Sequence, residues 1–212
     1  MAEAGNWRLA LQRRRALHLA FLAVAGAATS LAVMLRAPEA AALKPKGRRT
    51  EMTAHDFSFP ALEGGTLALN RWAGKPILVA NTASFCGFTP QYRDLEAVWQ
   101  RYRARGLVVL GVPANDFGSQ EPGSNATIKS FCELNYGVDF PLLEKQTVVG
   151  ASAHPLFKWA AARTGPAGVP RWNFHKILIG RDGALVGWFP TQTPPLDSRI
   201  TSAVEKALAV ER

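Results

Sequence analysis

The chain has 212 residues, 48% of them hydrophobic, and a formal net charge of +9. That composition suits one globular core with an appendage and excludes intrinsic disorder. Two cysteines, Cys86 and Cys132, exclude a disulfide-dense secreted scaffold, and their separation excludes a C-x-x-C zinc or redox motif.

The positive charge is spread along the chain. Residues 1–42 carry five Arg and two Glu, and the remainder carries 20 Lys/Arg against 14 Asp/Glu. The densest run, Arg101, Arg103 and Arg105, reads as a solvated helix face. No nucleic-acid motif accompanies it, so no nucleic-acid partner is expected.

In residues 1–42, Arg13-Arg14-Arg15 precedes a mildly apolar stretch, 17–35, and Ala40-Ala41-Ala42 follows. This is the layout of an export signal of the twin-Arg kind. The stretch is also long enough to be a membrane anchor, and an organelle transit peptide is a third reading. The expected location is the periplasm, free or anchored facing it, or the cytoplasm if the leader does not function. Residues 43–53 read as a polar linker, and 54–212 as the domain.

Within the domain, residues 57–62 and 66–69 flank Glu63-Gly64-Gly65 as a hairpin. A turn or single helical turn follows over 70–75. The continuous apolar run 77–82 predicts a buried strand. Thr89 is placed as N-cap and Pro90 as first residue of a helix carrying Tyr92, Leu95, Trp99 and Tyr102, with Gly106 as its stop. A second buried strand, 107–112, makes a strand–helix–strand unit, hence a parallel pair with a right-handed crossover. After a polar loop over 114–124, a helix runs over 125–136, with Ile128, Phe131 and Cys132 on one face and Gly137 after it. A short strand over 140–143, a helix over 154–163, a hairpin of 177–179 with 185–189, and a helix over 198–210 complete the domain. Mixed strands with flanking helices make an α/β fold.

Three segments carry chemistry. Cys86 lies in Asn81-Thr82-Ala83-Ser84-Phe85-Cys86-Gly87-Phe88-Thr89, a tight strand-to-helix turn read as exposed. At or just before a helix N-terminus, N–H groups and the dipole favour a thiolate, which is the nucleophile. Gln120, in Phe117-Gly118-Ser119-Gln120-Glu121-Pro122-Gly123, follows the second buried strand and so emerges at the same sheet edge. Trp172-Asn173-Phe174 offers an indole N–H and an amide, donors that stabilise a thiolate and the hydroxide expelled from a peroxide. The four histidines, His18, His55, His154 and His175, lack ligand spacing, so no metal and no cofactor are expected.

Together, these segments resemble the glutathione peroxidase family over roughly residues 56–210, with cysteine where some members carry selenocysteine. The resemblance implies a thioredoxin-like fold and a catalytic tetrad of Cys86, Gln120, Trp172 and Asn173. Phe131-Cys132-Glu133-Leu134-Asn135-Tyr136-Gly137 resembles the stretch that holds the resolving cysteine in thioredoxin-dependent members. Cys132 read from its own neighbours is a buried helix-face residue; the resemblance makes it the resolving thiol. The family's Pro-Cys-Asn-Gln is here Pro113-Ala114-Asn115-Asp116, and Asp116 is expected to face solvent, because a carboxylate near the thiol opposes its ionisation. The short stretch 164–171 resembles monomeric members. The implied activity is reduction of hydrogen peroxide and organic or lipid hydroperoxides, with a thioredoxin-like protein or glutathione as reductant. The alternative is a peroxide-sensing disulfide relay to a partner protein.

Overall fold

The computed structural model describes residues 51–62 and 64–210. The leader, and nearly all of the linker, lie outside the described residues. Among the described residues no helix is long and apolar enough to cross a membrane.

The core is a four-stranded sheet in the order β4-β3-β5-β6. Strands β3 (Ile77–Thr82) and β4 (Val108–Pro113) pair in parallel, joined through helix α1 (Gln91–Tyr102) and a 3-10 turn that ends on left-handed Gly106. Strand β5 (Lys176–Ile179) runs antiparallel to β3, and β6 (Leu185–Phe189) antiparallel to β5. A separate hairpin pairs β1 (Ser58–Pro60) with β2 (Thr66–Ala68).

Side chains alternate across the sheet, so each strand serves two cores. Leu78, Ala80, Val109 and Leu178 pack with α1, α2 (Asn125–Tyr136) and α4 (Ser198–Ala209). Ile77, Val79, Val108, Leu110, Ile177 and Ile179 pack on the other face, with α3 (Pro155–Thr164) and Phe59 of β1. A strand buried on both faces must be apolar throughout, which is why β3 and β4 read as continuous apolar runs.

Two local expectations are corrected. Residues 140–143 form no strand of their own; they make two isolated bridges, Leu142 with Gly111 of β4 and Leu143 with Ala61 beside β1. The Gly111 N–H donates to Pro141 O, and Leu143 N–H donates to Gly111 O. Pro141 has no N–H with which to extend that ladder. Thr89 is also not the cap of α1. Pro90 occupies the N-cap position with no side-chain bond, and the helix begins at Gln91.

Candidate active site

Because β3 and β4 are parallel and in register to Thr82 and Pro113, the segments after them leave by the same edge of the sheet. The first is the turn holding Cys86. Its N–H donates to Thr89 Oγ1 at 2.9 Å, and that hydroxyl donates to Ala83 O at 2.9 Å. Thr89 N–H closes the turn on Cys86 O. The threonine hydroxyl is therefore committed to shaping the turn, which is why it does not cap the helix.

The expectation of an exposed Cys86 is corrected too. Phe85 is 65% exposed, but Cys86 keeps only 8%. The sulfur accepts the Phe88 N–H at 3.4 Å. Cys86 lies five residues before the first helical residue, so this donor belongs to the turn, not to the helix.

The second segment brings Gln120 to that turn. Phe85 N–H donates to Gln120 O at 3.0 Å. Gln120 Oε1 accepts from Asn173 Nδ2 at 2.9 Å, leaving the Gln120 amide N–H groups without a bond among the described residues. The third segment is fastened by Asn81 at the end of β3. Its Oδ1 accepts from His175 N, its carbonyl from Phe174 N, and its Nδ2 donates to Trp172 O. Trp172 is 36% exposed and its ring lies 5.9 Å from that of Phe117. Its indole N–H makes no hydrogen bond among the described residues.

Gln120 and Asn173 are thus in direct contact, and Gln120 is tied to the neighbour of Cys86. The Cys86 sulfur itself bonds to none of the three side chains. Two non-glycine residues beside them are left-handed: Ser119 (φ 52°) and Phe174 (φ 62°). Such a backbone costs about 1 kcal/mol or more and persists where its surroundings over-determine it. Asp116 is exposed, as expected, and accepts the Val148 N–H at 2.6 Å.

Behind the turn lies a buried polar cluster for which no role was read from sequence. Ser84 Oγ donates to Glu121 Oε2 at 3.1 Å, while Glu121 Oε1 is buried without a partner. Burial raises the Glu121 carboxyl above its ordinary range. Cys132 is fully buried on α2, and burial pushes its thiol up to about 11, with the Glu121 charge adding to the rise. Burial, then Cys132, raises the Tyr92 hydroxyl in the same cluster. Both cysteines are free thiols.

Lys176 was also missed. It is fully buried, and burial brings its ammonium down to about 7. It donates to Gln91 Oε1 and to Thr193 O, pinning the chain after β6 to α1. A lysine heading the run Ile177-Leu178-Ile179 was the available signal. Among the described residues no cluster of three His, Cys, Asp or Glu side chains could hold a metal.

The family model for glutathione peroxidase matches residues 54–161. The chain is 45% identical over 164 residues to a hydroperoxy fatty acid reductase, gpx1, of Synechocystis, covering 74% of this chain and 96% of that protein. The chain belongs to the glutathione peroxidase family. A second family relative, the glutathione peroxidase-like peroxiredoxin gpx1 of Schizosaccharomyces pombe, is 43% identical over 66% of this chain and 90% of its own. The crystal structure of apo Trgpx superposes with a TM-score of 0.62 at 36% identity, over 76% of this chain and 98% of that one. The fold is the thioredoxin-like α/β fold that the sequence led one to expect. As a glutathione peroxidase-like hydroperoxide reductase, the chain is a peroxidase enzyme.

Proposed function

We propose that the chain is a thiol peroxidase in which Cys86 is the peroxidatic residue and Cys132 the resolving one. The Cys86 thiolate attacks the terminal oxygen of a hydroperoxide. The O–O bond breaks, Cys86 becomes a sulfenic acid, and the alkoxide leaves as an alcohol after taking a proton; hydrogen peroxide gives water. Gln120, Trp172 and Asn173 supply the N–H groups that stabilise the thiolate and the departing oxygen. The observation that carries this reading is the Asn173–Gln120 bond, together with Gln120's tie to Phe85. It joins the Asn173 segment to the Gln120 loop, and that loop to the residue before Cys86, and leaves the Gln120 donors unspent.

Cys132 then condenses with the sulfenic acid, releasing water and forming a disulfide. A thioredoxin-like protein reduces it by thiol exchange. Where Cys132 does not engage, glutathione takes its place. The peroxiredoxin name of the fission-yeast relative supports the first route. The short 164–171 stretch supports a monomer, and the leader supports export.

Cys86→Ser abolishes peroxide consumption with either reductant; residual turnover near wild type overturns the scheme. Cys132→Ser loses thioredoxin-supported turnover and keeps the first oxidation. The second reading, a disulfide relay to a partner, is favoured by one observation: Cys132 is fully buried with its thiol raised to about 11, which slows internal resolution. It predicts slow steady-state turnover with both reductants and a long-lived Cys86 sulfenic acid.

A further inference from the structure

Resolution needs the thiolate of Cys132, because the thiolate is the form that attacks sulfenic sulfur. Burial holds that thiol at about 11, so at neutral pH it carries its proton. Some group must take the proton as the disulfide forms. The buried polar cluster behind the Cys86 turn holds one carboxylate, Glu121.

Glu121 is fully buried, and its Oε1 has no partner. An unpaired buried carboxylate oxygen is costly unless a proton or water meets it. Two contacts place this carboxyl against the Cys132 face of α2. Gly123 of the same loop lies so close to α2 that a Cβ there would stand 3.5 Å from Thr127 and 3.6 Å from Ile128, one helical turn before Cys132. From the other side, Tyr92 of α1 packs on Tyr136, one turn after Cys132, with ring centroids 5.5 Å apart. Cys132 lies between those contacts, and the Glu121 charge acts on both it and Tyr92.

The carboxylate is anchored on the Cys86 side. Its Oε2 accepts from Ser84, two residues before Cys86. Its N–H donates to Asn115 Oδ1 at 2.8 Å, and Lys145 Nζ donates to its carbonyl at 3.0 Å. None of these ties involves α2, so a shift of α2 leaves Glu121 beside the turn. Of the charged and titratable groups facing the carboxyl, Lys145 is the cation and favours the carboxylate. Tyr92 and Cys132 are neutral at neutral pH, and Glu133 of α2 adds its charge at Cys132.

We propose that Glu121 is the proton acceptor of the resolving step, with Oε1 as the receiving atom. It rests on Cys86 being the peroxidatic thiol and Cys132 the resolving one. The Cys132 proton passes to Glu121 as the thiolate forms. The thiolate attacks the Cys86 sulfur, the S–S bond forms and the S–OH bond breaks. The departing hydroxide takes the proton back from Glu121 and leaves as water. The carboxylate is restored, and no outside oxidant or reductant is consumed.

The test is rapid mixing of the full chain with hydrogen peroxide, with acid-quenched samples mapped by mass. Oxidation of Cys86 quickens with peroxide concentration and disulfide formation does not, which separates the two phases. The second phase is read from about pH 5 to 9. In the wild type its rate rises through the Glu121 titration and then levels. Glu121→Gln slows it roughly a hundredfold at neutral pH, and its rate then climbs about tenfold per pH unit, because hydroxide must take the proton. Loss of the charge alone lowers the Cys132 thiol and would speed the step, so a purely electrostatic role has the opposite sign. Glu121→Asp restores the level region. An opening of α2 before the step scales the rate alike at every pH and keeps the shape of the profile. A second phase in Glu121→Gln as fast as in the wild type, or faster, overturns the proposal and leaves both thiols in their roles. A wild-type profile with no level region overturns it without any variant. A wild type that forms no disulfide overturns the resolving role of Cys132, and the proposal with it.

Discussion

Cys86 sits in a turn tied by hydrogen bonds with Thr89, Phe88 and Gln120, and the residue keeps 8% of its surface exposed. Cys132 sits mid-helix on α2, fully buried, its thiol raised to about 11 by the apolar surroundings and the Glu121 charge. One residue keeps a small exposed surface and the other keeps none. The other is fully buried within α2, and since a disulfide needs the two Cα atoms within about 7 Å and both sulfurs aligned, we propose that α2 loosens before it takes part. In this account the first chemical step is preorganised and the second is gated by local unfolding.

The largest expected effect short of losing Cys86 tests the first half of that contrast. Asn173→Ala removes the amide that orients Gln120, and the rate of Cys86 oxidation falls by about 10²-fold in stopped-flow assays. Thermal unfolding of the variant separates this loss from a general weakening of the fold.

The next effect tests the gate. The Ser124 hydroxyl caps α2 by accepting the Thr127 N–H at 3.2 Å. Ser124→Ala costs the helix about 1 kcal/mol, which raises its opening roughly fivefold. Disulfide formation after a peroxide pulse therefore speeds up, while the first oxidation keeps its rate. A slower or unchanged disulfide step contradicts gating by α2.

The smallest effect concerns the Glu121 charge that acts on Cys132. The Glu121 carboxyl is raised in the folded state, so the stability of its neutral form is present at low pH and lost as pH rises through the folded-state pKa. Glu121→Gln keeps an acceptor for Ser84 and removes that loss. The variant is at least as stable as wild type at pH 7 in urea titrations. Its Cys132 thiol also titrates lower, read from the pH dependence of alkylation in a Cys86→Ser background.

The comparison also shows what a sequence carries. Strands β3 and β4 were legible because burial on both faces demands an unbroken apolar run. Helix α1 was legible from Tyr92, Leu95 and Tyr102, which recur at helical spacing and are buried. Thr89 was misread because its hydroxyl can serve either a helix cap or a turn, and the two bonds around Cys86 decide for the turn. The stretch 140–143 was misread because a short apolar run does not reveal that its pairing stops at isolated bridges with Gly111 and Ala61. At the site, the residue types were legible as motifs. Their fastening was not: Asn81 reaches the 172–175 segment across more than ninety positions. Nor did Ser119 and Phe174 announce their left-handed backbones, which depend on tertiary contacts.

The most direct test of the central claim is peptide mass mapping after one equivalent of hydrogen peroxide, with dimedone present. The account predicts a Cys86–Cys132 disulfide in the wild type and a dimedone adduct on Cys86 alone in Cys132→Ser. Oxidation of Cys132 with Cys86 left reduced would contradict it.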